Sequence, residues 1–353
     1  MKEFIEDILK KDYQDKAQFI YNNSPLLQYL DFKMGAVYGN SKTRRSLGNL
    51  YAIYSLLFFY IEDFYCKKET YREFGGYNYN KLFSFCRDLY GGNKLQNHPL
   101  NSRVNGEFQN KFNANKDIIV INDGKYALHI DFLYVKNKDI SKTALKIIKK
   151  YIALLKKKDE QLIRDINALK KLKSINEQKL KIDLMLNEKS EARIFEIVSF
   201  AILKNHYKGI KIFIGYEREK LKEEYLTLYK TGRTNANDGG IDFVMRPIGR
   251  FFQVTEVDNY DKYTLDIDKV LHFPITFVIK TNKDKQIVKS ELIKHIKEKS
   301  GGMKMIEYRY LNAIEEIITI NELKEWLYDL SLQDINALLS DIEKYYKVEM
   351  NLI

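Results

Sequence analysis

The chain is 353 residues long, enough for one large domain or two medium ones that bury a core without disulfide staples. Cys66 and Cys86 make no disulfide framework, the charged start MKEFIEDILKKDYQDK has no signal-peptide pattern, and the longest apolar stretch, Leu50 to Ile61, is too short to span a bilayer; a cytoplasmic location is expected. The 59 Lys and Arg against 48 Asp and Glu leave a net charge of +11 and a pI near 9.1, which favours a polyanionic partner, nucleic acid first, although an AT-rich coding genome also yields such a Lys-rich chain.

Residues 1 to 115 read as mostly helical, with apolar periodic segments broken at Gly75 Gly76 and Gly91 Gly92. From Asp117 to Val135 the string IIVIN, Asp123 Gly124, KYALHIDFLYV predicts a two-stranded ribbon, because Asp-Gly suits a type I′ turn. Apolar residues at 145, 148, 152, 155, 162, 166 and 169 then predict a long amphipathic helix, with Asp159 at the one skipped position. Such a seam forms either a dimer coiled coil or a face packed within the chain. The clusters Lys149 Lys150, Lys156 Lys157 Lys158 and Lys170 Lys171 lie on its other faces, where they meet phosphates or solvent.

Glu188 to Lys204 is helical in pattern, Lys211 to Tyr216 reads as a short strand, and a charged helix is expected after it. Residues 232 to 257, GRTNANDGGIDFVMRPIGRFFQVTEV, read as a Gly-rich turn, a strand entered through Asp242, a hairpin, and a returning strand with Gln253 and Glu256. Pro274 to Lys280 is a further internal strand, and residues 284 to 353 return to helical periodicity. The order helix, strand, motif strand, strand, helix, strand predicts an α/β fold, a small mixed sheet flanked by helices. The expected divisions are a mostly helical region with a hairpin at 1–138, the long helix at 139–186, a catalytic core at 187–282 and a helical region at 283–353.

Asp242 lies between Ile241 and the apolar run Phe243 Val244 Met245, where an uncompensated buried carboxylate costs several kcal/mol. A divalent cation is the natural partner; the bland alternative is an acid that only accepts turn hydrogen bonds. Hydrolysing a phosphodiester with Mg²⁺ needs carboxylates beside the phosphate and a group that orients water. Glu196 on the preceding helix, Asp242, and Gln253 eleven residues further on supply such groups. Thr255 shares the Gln253 face by the two-residue period, and Glu256 points away. Glu191 is the reserve carboxylate if the helix phase turns Glu196 aside. His98, His129, His206, His272 and His295 show no metal-ligand spacing.

This pattern resembles the PD-(D/E)XK nuclease superfamily, in particular its Mrr-like branch, where a helix with a Phe-Glu pair precedes a GGxD strand and a Q-x-K strand. Phe195 Glu196 and Gly239 Gly240 Ile241 Asp242 match, whereas Gln253 Val254 Thr255 has threonine at the family lysine. Lys262 and Lys269 are the candidates to supply the missing ammonium. NDGGIDFVMRPIGRFFQVTE, together with SEARIFEIVSFAILK at 190–204, is also similar to the HaeII-type restriction endonucleases; the likeness is most specific over 188–280 and weaker in SKTRRSLGNLYAIY at 41–54 and NKLQNHPLNSRVNGEF at 93–108.

The resemblance implies a Mg²⁺-dependent type II restriction endonuclease that cuts double-stranded DNA at a short palindrome, GC-rich and centred on GCGC. In-line attack of water on phosphorus leaves a 5′-phosphate and a 3′-hydroxyl. Asp242 and Glu196 are the implied metal ligands, and Gln253 contacts bound water or phosphate. A palindrome's twofold symmetry implies a homodimer, and host protection implies a DNA methyltransferase as a functional, not physical, partner. Arg44 and Arg45 can fork to guanine, and Asn97, His98, Asn101 and Arg103 carry groups suited to base edges, so these two loops are the expected readers; capping and solvated surface are the bland roles for the same residues. A structure-specific repair or junction nuclease, and a DNA-binding protein that has lost catalysis at Thr255, are the alternatives.

Overall fold

The computed structural model describes residues 1–35, 47–63, 68–92, 95, 100–112, 114–231, 241–255 and 259–350. They form two compact units, Met1–Leu162 and Ile163–Ile353, whose border falls inside one long helix rather than at any of the expected divisions.

The first unit contains α1 (Glu3–Tyr13), α2 (Ala17–Asn22), α3 (Pro25–Lys33), α4 (Leu47–Glu62), α5 (Lys68–Glu73), β1 (Tyr77–Asn78), α6 (Tyr79–Asp88) and α7 (Ser102–Phe112). After them come β2 (Ile119–Asn122), β3 (Lys125–Leu128), β4 (Tyr134–Val135), β5 (Lys138–Asp139) and the first part of α8 (Ser141–Lys170). Ser24 caps α3 by accepting from the Leu27 amide, and Pro25 takes the first helical position, where no N–H is needed. The apolar run of α4 is a buried helix, as its length predicts, and among the described residues no helix is long and apolar enough to cross a membrane. The predicted ribbon forms: Asn122 faces Lys125 across a two-residue turn in which Asp123 (φ 47°) and Gly124 (φ 74°) are both left-handed, the geometry of a type I′ turn. Leu145, Ile148 and Leu155 of α8 are buried in this unit's core, so that stretch of the helical seam is filled within the chain.

The second unit continues from the end of α8 through α9 (Ile175–Met185), α10 (Ala192–His206), β6 (Lys211–Ile214), β7 (Lys222–Tyr225), β8 (Thr227–Lys230), β9 (Phe243–Arg246) and β10 (Arg250–Thr255). It ends with α11 (Tyr260–Lys269), β11 (Ile275–Ile279), α12 (Lys285–Lys299), α13 (Lys304–Ala313), β12 (Ile314–Ile318), α14 (Ile320–Asp329) and α15 (Leu332–Met350). The fold is mixed α/β. A five-stranded sheet has the order β12-β11-β10-β9-β8, antiparallel from β8 to β10 and parallel from β10 to β12. All five residues of β11, ITFVI, are buried, as suits a central parallel strand covered on both faces.

One face packs Tyr263 and Ile267 of α11 and Val288, Leu292 and Ile296 of α12 against Ile275, Phe277 and Ile279. On the other face Phe200 and Tyr207, from α10 and its end, stack near Phe243 and Phe252. Period-two alternation along β10 therefore sends Phe252 toward α10, while Phe251, Gln253 and Thr255 share the α11 side.

Two segments differ from the sequence reading. The expected charged helix after Tyr216 is instead β7, paired in a hairpin with β6, followed by β8 on the main sheet. The charges suit a solvated hairpin as well as a helix, and long-range pairing decides between them. The C-terminal region, read as helical, also supplies β12, whose alignment beside β11 is a non-local contact.

Candidate functional site

Asp242 stands at the entrance of β9, fixed by backbone on both sides. Its N–H donates to Phe252 O (3.1 Å), and its carbonyl accepts from Thr231 N (3.0 Å) and Thr231 Oγ1 (3.0 Å). The carboxylate is held as well: Oδ2 accepts from the Val254 amide at 2.7 Å. Burial pushes this carboxyl from its ordinary 3.8 up to about 6; the Val254 amide, Lys230 and Lys262 oppose the rise, and Asp266 adds to it. An acid so placed is stabilised by an added cation, because the negative charge that burial penalises then gains a partner.

Gln253 and Thr255 are both 5 % exposed. The Gln253 amide donates through Nε2 to Val254 O at 3.3 Å, and its Oε1 is buried with no hydrogen-bond partner. A buried carbonyl oxygen without a donor costs about 1–3 kcal/mol, which a hard cation or a bound water offsets. Lys262, the third residue of α11 after the Asn259 cap, donates from Nζ to Thr255 Oγ1 at 3.2 Å. Of the two candidate lysines, Lys262 thus reaches Thr255. Lys269 instead pairs with Asp266 at 2.8 Å.

Glu196 and Glu191 separate clearly. The helix starts at Ala192, which leaves Glu191 at the N-cap position without capping it, while Glu196 lies within α10 and forms an ion pair with Lys230 of β8. Both partners of that pair are largely buried. Burial pushes the Lys230 ammonium below its ordinary value against the attraction of Glu349 and Asp242, and Arg193 adds to the fall. Glu196 therefore already has a cation, and to ligate a metal it would have to share Lys230. Lys230 is a member of this site that the sequence reading missed; the alternation Thr227, Leu228, Tyr229, Lys230, with Leu228 buried and Tyr229 exposed, was its available signal.

The oxygen-rich set of Asp242 and Gln253 Oε1 fits a hard divalent ion such as Mg²⁺. Among the described residues no group of three or more His, Cys, Asp or Glu is gathered to hold a metal. The histidines take other roles: His206 stacks on Trp326 at 3.9 Å, His129 accepts from the Asp131 amide, and His272 and His295 face Asp268 and Asp261.

The expected base readers belong to the first unit. Asn101 precedes α7 and accepts the Asn105 amide on its carbonyl (2.8 Å), and Arg103 is exposed in the first turn of α7. Arg44, Arg45, Asn97 and His98 lie outside the described residues, as do Gly239, Gly240 and Glu256. No family model, curated protein or solved structure matches the chain.

Proposed function

We propose that the chain is a Mg²⁺-dependent type II restriction endonuclease with a PD-(D/E)XK core. Its substrate is double-stranded DNA with a short palindromic, GC-rich site containing GCGC. The observation that carries this reading is the gathering of the Asp242 carboxylate, the unpartnered Gln253 Oε1 and the Lys262 ammonium at the end of β10. The succession of α10, the motif strands β9 and β10, α11 and β11 supports it too; the strand expected at Lys211–Tyr216 lies in the separate β6–β7 hairpin, and β8 takes its place in the main sheet.

Asp242 would hold the Mg²⁺ with Gln253 Oε1, whereas Glu196, on the α10 side and paired with Lys230, would have to leave that pair to join them. The bound ion supplies Lewis-acid polarisation of the scissile phosphate. The Val254 amide fixes the Asp242 rotamer, so the acid needs no reorganisation when substrate arrives. Lys262 offers an ammonium to the negative charge that develops on the phosphoryl oxygens, in the role the family lysine holds from the strand. That ammonium weighs against a chain which has lost catalysis at Thr255. The net charge of +11 favours the DNA backbone, and a palindromic target calls for a homodimer.

The test is digestion of plasmid DNA by the purified protein with Mg²⁺. Discrete fragments with 5′-phosphate ends, abolished by chelation, are expected. Cutting confined to branched DNA would point to a junction nuclease, and specific binding without any cleavage in Mg²⁺ or Mn²⁺ to an inactive binding protein.

A further inference from the structure

α11 carries a third acid that the motif does not include. Asp266 is 1 % exposed, and it follows Lys262 by four residues, so the two project from one helix face. Lys262 on that face reaches Thr255, which fixes the direction of the face toward the Gln253 and Thr255 side of β10. Lys269 holds one oxygen of Asp266, Oδ1, at 2.8 Å, while the other, Oδ2, is buried with no hydrogen-bond partner. Gln253 Oε1 on the same side of the sheet is likewise buried and unpartnered. Two buried acceptors without donors beside a third held acid make a poor arrangement for stability alone, because each forfeits its hydration. Oxygen ligands awaiting a hard cation show this pattern. On the opposite side Glu196 is already neutralised by Lys230.

We infer that the divalent cation binds on the α11 side of the sheet, with Asp266 as its second carboxylate beside Asp242 and Gln253 Oε1, and that Lys269 is the positioning residue which turns Asp266 Oδ2 inward. The Glu196–Lys230 pair then braces α10 against β8 and is not part of the ligand set. This rests on the reading of the site as one for a divalent cation, and it moves the second acid from α10 to α11.

The experiment measures Mn²⁺ binding to the full-length protein without DNA, by the electron paramagnetic resonance signal of free Mn²⁺, together with the rise in Tm that Mn²⁺ produces. The variants are Asp242→Asn, Asp266→Asn, Gln253→Leu, Lys269→Met and Glu196→Gln. Asp242→Asn and Asp266→Asn each weaken binding tenfold or more, Gln253→Leu and Lys269→Met weaken it several-fold, and Glu196→Gln stays within about threefold of the parent. Asp266→Asn and Gln253→Leu keep the cation-free Tm within a few degrees of the parent, since each changes a buried acceptor that lacks a donor against the loss of the Lys269 pair in one and of the donation to Val254 O in the other, while the Mn²⁺-dependent rise shrinks. Unchanged affinity in Asp266→Asn, a loss confined to Glu196→Gln, no Mn²⁺ binding by the parent, or a cation-free Tm several degrees lower in both Asp266→Asn and Gln253→Leu would overturn the inference. Plasmid cleavage by the parent separates the two levels: cleavage with an indifferent Asp266 sinks this assignment alone, whereas Mn²⁺ held by Asp242 and Asp266 without cleavage of any DNA sinks the nuclease reading and leaves the cation site.

Discussion

Lys262 Nζ stands 3.2 Å from Thr255 Oγ1, so a helix delivers an ammonium to the Thr255 end of the strand. The two residues are seven apart in sequence, Thr255 closing β10 and Lys262 in the first turn of α11. If this ammonium stabilises transition-state charge, Lys262→Ala lowers kcat by roughly a hundredfold or more, the scale seen when one such donor is removed. Lys269→Ala, whose partner is Asp266, has a smaller effect on kcat than Lys262→Ala. Thr255→Val retains most activity, and the double change Thr255→Lys with Lys262→Ala recovers part of the loss. Single-turnover cleavage rates check this ordering; equal rates in the parent and Lys262→Ala would remove the lysine from the site.

Asp242→Ala abolishes cleavage while leaving specific binding measurable in Ca²⁺, because a metal ligand is lost and the base contacts are not. A variant that keeps more than about a tenth of the parent rate, a barrier change of only about 1.4 kcal/mol, contradicts the role of Asp242.

Glu196 and Lys230 form an ion pair that a double-mutant cycle can isolate. Glu196→Gln and Lys230→Met each destabilise the protein by about 1–3 kcal/mol, because each leaves a largely buried charge without its partner. The double variant loses less than the sum, with a coupling of about 1 kcal/mol or more in urea denaturation. Additive losses would show that the pair contributes nothing as a pair.

The parts of the site legible in the sequence are those that local pattern determines. Asp123 Gly124 signalled its turn because both residues tolerate left-handed backbone, and Asp242 stood out because a charge interrupts an apolar strand. Lys230 was hidden because the charges of 217–224 mask the alternation of β8, and its pairing with β9 crosses more than ten residues. Nothing local in the sequence sets Asp266 apart from Asp261 and Asp268 of the same helix; its burial depends on which face α11 turns to the sheet, and that follows from tertiary packing of Tyr263 and Ile267. β12 was read as helix because Ile314 to Ile318 follows α13 without a break, and only an open edge beside β11 makes a strand of it.

Arg103, exposed at the start of α7, offers a separate test of base reading in the first unit. If it forks to a guanine, Arg103→Ala weakens specific binding by about 1–3 kcal/mol with little change on nonspecific DNA. An equal loss on every sequence marks a phosphate contact, and an unchanged affinity takes Arg103 out of the interface.

The titration of Asp242 sets the pH dependence of cation binding. Its carboxyl is raised from 3.8 to about 6 by burial, so below about pH 6 a proton occupies the group a divalent cation must displace. Mn²⁺ affinity therefore holds near pH 7 to 8 and falls by up to about tenfold per unit below pH 6. Stability without cation moves the other way. A folded-state pKa above the unfolded value means that the folded protein binds the proton more tightly, so this acid's contribution to stability is complete below about pH 4 and is lost as pH rises to about 6. Asp242→Asn, which keeps the acceptor for the Val254 amide but cannot ionise, consequently raises cation-free stability at pH 7.5 by on the order of 1 kcal/mol, with little gain at pH 4. Thermal denaturation of parent and variant at both pH values, with and without Mn²⁺, checks the pattern; a gain that is the same at pH 4 and pH 7.5 would mean that Asp242 ionises in the folded protein as it does in the unfolded chain.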